Sequence, residues 1–158
     1  MKVQVVNNSN NEFPKYATIG SSAVDLKASI LQLDATPIGT GVDKIKNEII
    51  LLPGGRCIIP TDLFVAIPEG YEIQIRPRSG LAIKDGITCL NTPGTIDADY
   101  RGNIGIILIN HSNKPFYIKD GDRIAQAVLC KVEKIEWETV LELPTTKRGE
   151  GGYGHTGK

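Results

Sequence analysis

Apolar residues recur along this chain in short runs punctuated by turn residues, with no long helical stripe between them. The segment Tyr71-Glu-Ile-Gln-Ile-Arg76 alternates cleanly and predicts a strand with Tyr71, Ile73 and Ile75 facing inward. Asp122 to Val132 also alternates, placing Ile124, Gln126, Val128, Cys130 and Val132 on one face. Gln126 is the polar member of that row, and a buried amide needs a partner. Two strongly apolar runs, Gly86 to Leu90 and Ile104 to Ile109, read as buried strands. Further strands are expected at Lys2 to Val6, Ser21 to Ala28 and Glu48 to Leu52, the last ended by Pro53-Gly54-Gly55. Others are expected at Arg56 to Pro60, Leu63 to Ile67 and, as an edge strand, Glu133 to Leu143. Thr36 to Asn47 has no clear period and reads as a surface loop or hairpin insertion. Ser79 to Lys84 predicts one short helical turn with Ser79 as its N-cap.

Many short strands with frequent turns predict an all-β fold, a jelly-roll-like sandwich or barrel. The chain has 158 residues, room for a single domain with a substantial core. We expect a β domain over residues 1–143 and a flexible, glycine-rich arm over residues 144–158. Lysine plus arginine equals aspartate plus glutamate, so no basic excess points to nucleic acid. No apolar run reaches membrane-spanning length. The segment Met1 to Asn7 is too short and polar for a secretion signal. Cysteines occur at positions 57, 89 and 130, an odd number. Cys89 and Cys130 lie in apolar strands and read as reduced core residues, which fits a cytoplasmic protein. His111 and His155 lack neighbouring ligands, which argues against a protein-held zinc.

Chemistry-bearing residues concentrate in Asn91-Thr-Pro-Gly-Thr-Ile-Asp-Ala-Asp-Tyr-Arg-Gly102, between the two buried runs. Asp97 and Asp99 stand two apart, so on an extended chain both point to one face. Solvated loops also carry charge, and the flanking segments decide between the readings. Arg76-Pro-Arg-Ser-Gly-Leu-Ala82 brings two arginines, a hydroxyl and a glycine to the end of a strand. Arg78 offers a planar fork suited to phosphate, although a capped turn beside a surface arginine needs the same residues. In Gly121-Asp-Arg-Ile-Ala-Gln126, the Gln126 amide suits either a core partner or a ligand phosphate, and Asp122 and Arg123 could form a turn-side ion pair. The tail residues Gly152 to Lys158 spell the start of a phosphate-binding P-loop, but no Ser/Thr, helix or parallel strand completes it. A glycine-rich terminus is commonly a disordered tail. Arg148, Tyr153, His155 and Thr156 nevertheless give this one a cation, a stacking face and hydrogen-bonding groups.

These segments together resemble the five ordered motifs of the trimeric dUTP diphosphatases (dUTPases). The first is Ser22-Ala-Val-Asp-Leu-Lys-Ala28 and the last Arg148-Gly-Glu-Gly-Gly-Tyr-Gly-His-Thr-Gly157, so the resemblance spans about Ser21 to Gly157. Departures are few. Ala23 stands where glycine is frequent, Tyr153 where phenylalanine is usual, and His155 where serine is frequent.

The resemblance implies hydrolysis of dUTP to dUMP and pyrophosphate, which limits uracil in DNA and supplies dUMP for thymidylate synthesis. It implies Asp97 as the base that orients and deprotonates the attacking water, and Tyr100 as the wall beneath the deoxyribose. Asn91 and Gly105 would meet the uracil edge by their backbone, with Gly94, Thr95 and Ile96 lining the same pocket. Arg78, Ser79, the Gly80 amide and Gln126 would hold phosphates. Arg148 and His155 would meet them from the tail, with Thr156 beside them and Tyr153 stacked on uracil. Mg²⁺ would be held mainly by the triphosphate, with Asp25 reaching it through water. A homotrimer with sites shared among three chains is implied as well. Two other functions fit part of this pattern: a dCTP deaminase on the same fold, and a non-catalytic protein that senses dUTP.

Overall fold

A computed structural model describes residues 1–34 and 36–153. The described elements are β1 (Gln4–Asn7), β2 (Val24–Lys27), β3 (Gly39–Ile45), β4 (Glu48–Pro60), β5 (Leu63–Ala66), β6 (Tyr71–Arg76), α1 (Ser79–Asp85), β7 (Ile87–Cys89), β8 (Gly94–Ile96), β9 (Gly105–Asn110), β10 (Phe116–Lys119) and β11 (Arg123–Lys131). One sheet runs β10-β4-β9-β7, with β3 also on β4; a second runs β2-β11-β6-β8; β1 and β5 form a small pair. The strand pairs are antiparallel. The all-β, jelly-roll-like expectation holds. Among the described residues, no helix is long and apolar enough to cross a membrane.

Alternation builds the core. On β9, Ile106, Leu108 and Asn110 point inward, while Gly105, Ile107 and Ile109 are only partly covered. Ile73 and Ile75 of β6 and Leu26 of β2 meet Ile49, Leu51 and Ile59 of β4 in the same cluster. Full burial of such a side chain contributes about 1.5–3 kcal/mol relative to exposure. The buried Asn110 is satisfied: its Nδ2 donates to the carbonyls of Leu51 (2.9 Å) and Lys114 (2.8 Å), and its Oδ1 accepts from Ser112 N–H and Oγ.

Several expectations need correction. Pro53-Gly54-Gly55 does not end a strand, because β4 runs from Glu48 to Pro60 through it. The strand bends there: β10 pairs with its first half, β9 with its second, and β3 shifts register at Gly41. A Cβ at residue 55 would lie 2.3 Å from the Gly41 carbonyl oxygen, so glycine permits this close approach. The 36–47 segment is accordingly a hairpin insertion carrying β3. Ser79 is the first helical residue and not the cap. Arg78 holds the cap position, with no side-chain capping bond, and Gly86 ends the helix in the left-handed region.

On β11 the paired register shifts between Arg123 and Ala125, so Ala125 and Ala127 face the core after Ile124. Gln126, Val128 and Cys130 therefore sit half-exposed on the outer face, and Cys130 is not a core residue. No strand forms over residues 133–143. Ile135, Trp137, Leu141 and Leu143 alternate as a strand should, yet all are exposed, at 71% to 105%. An alternating segment becomes a strand only where a sheet edge accepts it, and within one chain none of the described strands does.

Candidate active site

The second sheet sets the geometry of the site. Asp25 on β2 lies opposite Gln126 on β11, and Gln126 lies opposite Arg76, the last residue of β6. The chain then passes through Pro77 and Arg78 into α1. Three side chains from two other segments thus converge on one carboxylate. Asp25 Oδ1 accepts from Arg78 Nε (3.1 Å) and Gln126 Nε2 (3.1 Å), and its Oδ2 accepts from Arg123 Nη1 (3.2 Å). Arg78 Nη1 also donates to the Arg123 carbonyl at 3.1 Å. The partner of Gln126 is therefore a carboxylate at the surface and not a core group. Arg123 pairs with Asp25 and not with Asp122, whose carboxylate instead accepts the Lys119 N–H. Two guanidinium groups face one carboxylate here, leaving the cluster one positive charge in excess. Ser79 and Gly80 are exposed beside it. Arg76 is engaged elsewhere, with Nε and Nη2 both donating to Gln74 Oε1.

Asp97 lies at the other end of this sheet. Gly94, Thr95 and Ile96 form β8 and pair with Ile75, Gln74 and Ile73. The chain then leaves the sheet in a turn, with Tyr100 N–H donating to the Asp97 carbonyl at 3.2 Å. Asp97 and Asp99 therefore do not share the face of an extended strand. Arg101 folds back, its Nη1 donating to the carbonyls of Ala98 (2.7 Å) and Tyr100 (2.8 Å). Asp97 is exposed, and among the described residues its carboxylate accepts no hydrogen bond. It opens on a groove of about 880 Å³, lined also by Tyr71, Glu72 and Val132. Asn91 packs against Gly94, where a Cβ would meet its Nδ2 at 3.2 Å. Leu90 N–H donates to the Ile107 carbonyl, which brings Asn91 alongside β9 and Gly105. A Cβ at residue 105 would lie 2.7 Å from Ile58, so glycine fits there.

The expected site residues thus fall into two groups. The register puts Asp97 level with Glu72 of β6 and Asp25 level with Arg76, with two strands between them. At about 3.3 Å per residue and 4.8 Å per strand, that separation is roughly 19 Å. The two groups therefore stand at opposite corners of the second sheet. In the tail, Arg148 Nε donates to the Gly151 carbonyl at 2.8 Å, and Tyr153 is fully exposed. His155 and Thr156 lie outside the described residues.

The sequence pattern of the dUTPase family matches residues 40–157. The chain belongs to the dUTPase family. It is 52% identical over 157 residues to the deoxyuridine 5'-triphosphate nucleotidohydrolase of Finegoldia magna, covering 99% of each chain. It is 50% identical over 158 residues to the enzyme of that name from Fusobacterium nucleatum, covering 100% of this chain and 98% of that one. Among solved structures, the dUTPase of Staphylococcus bacteriophage 80alpha with dUpNHpp superposes with a TM-score of 0.79 at 24% identity, covering 99% of both chains. The dUTPase of phage phi11 of S. aureus, solved with a structural Mg(II) ion, gives 0.72 at 23%, covering 92% of this chain and 100% of that one. At such identity these two structures speak to the dUTPase fold.

Two features escaped the reading of the sequence. Arg123 joins the Asp25 cluster, and Asp62 with Asn103 stands behind Tyr100. A shift of register within one strand leaves no mark in composition. Asp62, in the turn after β4, gave no signal beyond its place in a loop.

Proposed function

We propose that this dUTPase family member hydrolyses dUTP to dUMP and pyrophosphate at sites built from three copies of the chain. The observation that carries the reading is the division of the motif residues into a cationic cluster at Asp25 and a carboxylate-bearing loop at Asp97, roughly 19 Å apart on one sheet. Each group is incomplete alone: one supplies phosphate ligands, the other a base and a pocket. A cyclic trimer can place one chain's Asp97 pocket against the next chain's Arg78 cluster. The third chain's arm, residues 144–158, would then close the site, with Arg148, His155 and Thr156 toward the phosphates and Tyr153 over the base. The exposed apolar row from Ile135 to Leu143 leads up to that arm and suits a path over a neighbour. Three unpaired cysteines fit work in the reducing cytoplasm.

Within the site, the Asp97 carboxylate takes the proton of the water that attacks the α-phosphorus. Its open side lets a water approach without displacing a protein hydrogen bond. Asn91 and Gly105 offer backbone groups to the uracil edge, in a pocket that Gly94, Thr95 and Ile96 line. Tyr100 walls the sugar and leaves no space for a 2′-hydroxyl. Arg78, Ser79, the Gly80 N–H and Gln126 hold the phosphates, with Asp25 fixing the Arg78 and Gln126 side chains.

The donor set suits Mg²⁺ held chiefly by the substrate. Among the described residues no group of three His, Cys, Asp or Glu side chains could hold a metal. Asp25 accepts three hydrogen bonds, so about one of a carboxylate's four acceptor positions stays free for a metal-bound water. Mg²⁺, when bound, neutralises charge on the triphosphate and on the departing pyrophosphate.

Incubation with dUTP, dCTP, dTTP or UTP plus Mg²⁺ tests the reading. The expected result is monophosphate and pyrophosphate from dUTP far ahead of the others. Ammonia from dCTP would indicate the deaminase alternative, which relatives at about half identity do not favour. Binding of dUTP without turnover would indicate a sensor.

A further inference from the structure

Tyr100 is held by its hydroxyl as well as by its backbone. The hydroxyl donates to the Asn103 carbonyl at 3.0 Å. The ring folds back over residue 102, where a Cβ would lie 2.3 Å from the Tyr100 oxygen, so only glycine leaves the ring its place. Asn103 is fixed in turn by a reciprocal pair with Asp62. Its Nδ2 donates to Asp62 Oδ1 at 2.6 Å, and its Oδ1 accepts the Asp62 N–H at 3.0 Å. Asp62 is anchored on its far side, where Oδ2 accepts from Ser29 Oγ at 2.6 Å and its carbonyl accepts the Asn8 N–H at 2.9 Å. Asp62 also sits at φ 54°, a left-handed conformation that non-glycine residues seldom adopt. Next to it, Thr61 donates twice to the Ile104 carbonyl, and Ile104 N–H donates to Leu63. The turn between β4 and β5 therefore grips Asn103 and Ile104, immediately before Gly105.

We infer that Asp62 is a positioning residue for sugar discrimination: acting through Asn103, it fixes the Tyr100 ring and sets how strongly the site prefers deoxyribose to ribose. This rests on the assignment of Tyr100 as the sugar wall. Steric exclusion works only if the wall does not yield, and sites need support to within about 0.5 Å. A ring held only at its Cα can swing aside for one extra oxygen. A ring held also at its hydroxyl, by a carbonyl that is itself clamped, cannot. A purely structural role for Asp62 would lower stability and affect dUTP and UTP alike.

The test measures kcat/KM for dUTP and for UTP, with thermal melts, in Asp62→Gly, Asn103→Ala, Gly102→Ala and Tyr100→Ala. Glycine adopts the Asp62 backbone conformation without strain, so Asp62→Gly removes the side chain without distorting the turn, and the melts record what the added backbone freedom costs. Asn103→Ala cuts the same pair from the other side and decides the question if Asp62→Gly does not fold. Gly102→Ala leaves the pair intact and displaces the hydroxyl. Each of these three is expected to lower the dUTP-to-UTP preference by about 3- to 10-fold, the factor of one lost hydrogen bond. In a Tyr100→Ala background, Asp62→Gly should leave the preference where Tyr100→Ala put it. An unchanged preference in folded Asp62→Gly and Asn103→Ala, with Tyr100→Ala lowering it, overturns the role of Asp62 and leaves that of Tyr100. An unchanged preference in Tyr100→Ala itself overturns both.

Discussion

Arg78→Lys keeps the charge beside Asp25 and removes the fork. Arg78 Nε donates to Asp25 and Nη1 to the Arg123 carbonyl, each at 3.1 Å. A lysine has one nitrogen and cannot span both acceptors while presenting a donor to phosphate. On the proposed function, at least one charge-assisted hydrogen bond to the triphosphate is lost, about 1.5–3 kcal/mol. At about 1.4 kcal/mol per factor of ten, kcat/KM for dUTP should fall by about 10- to 150-fold. Stability should change far less. Both side chains of the Arg78–Asp25 pair are 23% exposed, so the pair contributes about 1 kcal/mol at most. A loss of that size lowers Tm by about 2–4 °C in a domain of this length. Initial rates of pyrophosphate release at saturating Mg²⁺, with melts of both proteins, separate the two effects. A variant within twofold of the parent in kcat/KM would show that Arg78 does not touch the substrate.

Asp97→Asn should reduce turnover by more than the 10²–10⁴-fold typical of a lost general base, while dUTP still binds in calorimetry; near-normal hydrolysis would remove Asp97 from the mechanism. Burial pushes the Cys57 thiol up to about 12 and the Cys89 thiol up to about 11, against an ordinary 9.0. Above pH 9 the unfolded chain releases protons that the fold retains, so stability should fall as pH rises from 9 towards 11. Urea midpoints at pH 8, 9 and 10 check this, and Cys57→Ala should flatten the decline; a midpoint that rises across this range would contradict it. In the native protein at pH 8, a thiol reagent should label the half-exposed Cys130 and spare Cys57 and Cys89.

Much of the fold was legible because strand periodicity survives packing. Tyr71 to Arg76 alternates, and the structure buries Ile73 and Ile75 as expected. The misreadings share a physical cause: each depended on where a strand finds its partner. Pro53-Gly54-Gly55 looks like a stop, but a bend flanked by β3, β9 and β10 keeps one strand running through it. A register shift after Arg123 leaves Ile124 inside, turns Gln126, Val128 and Cys130 outward and brings Gln126 to Asp25. Glu133 to Leu143 has the pattern of a strand and no edge to join within one chain. The candidate residues themselves were legible as motifs. Their division into two distant groups was not, because the order of strands in a sheet is a long-range property. The clamp behind Tyr100 links Ser29, Asp62 and Asn103 across more than seventy positions, and no local pattern encodes it.

The proposed division of the site between chains can be tested by complementation. One chain carries Asp97→Asn, and a second is truncated after Lys147. Each homotrimer should be nearly inactive, the first for want of a base and the second for want of Arg148 and Tyr153. After co-refolding in equal amounts, a complete site needs Asp97 from a truncated chain and a tail from a full-length one. With random assembly, roughly a quarter of the sites qualify, since two different protomers of a cyclic trimer fill the two roles independently. The account predicts recovery of dUTP hydrolysis to about that fraction of the parent rate. Activity that stays at the background of the two parents, in mixed trimers shown to be present, would contradict a site shared between chains.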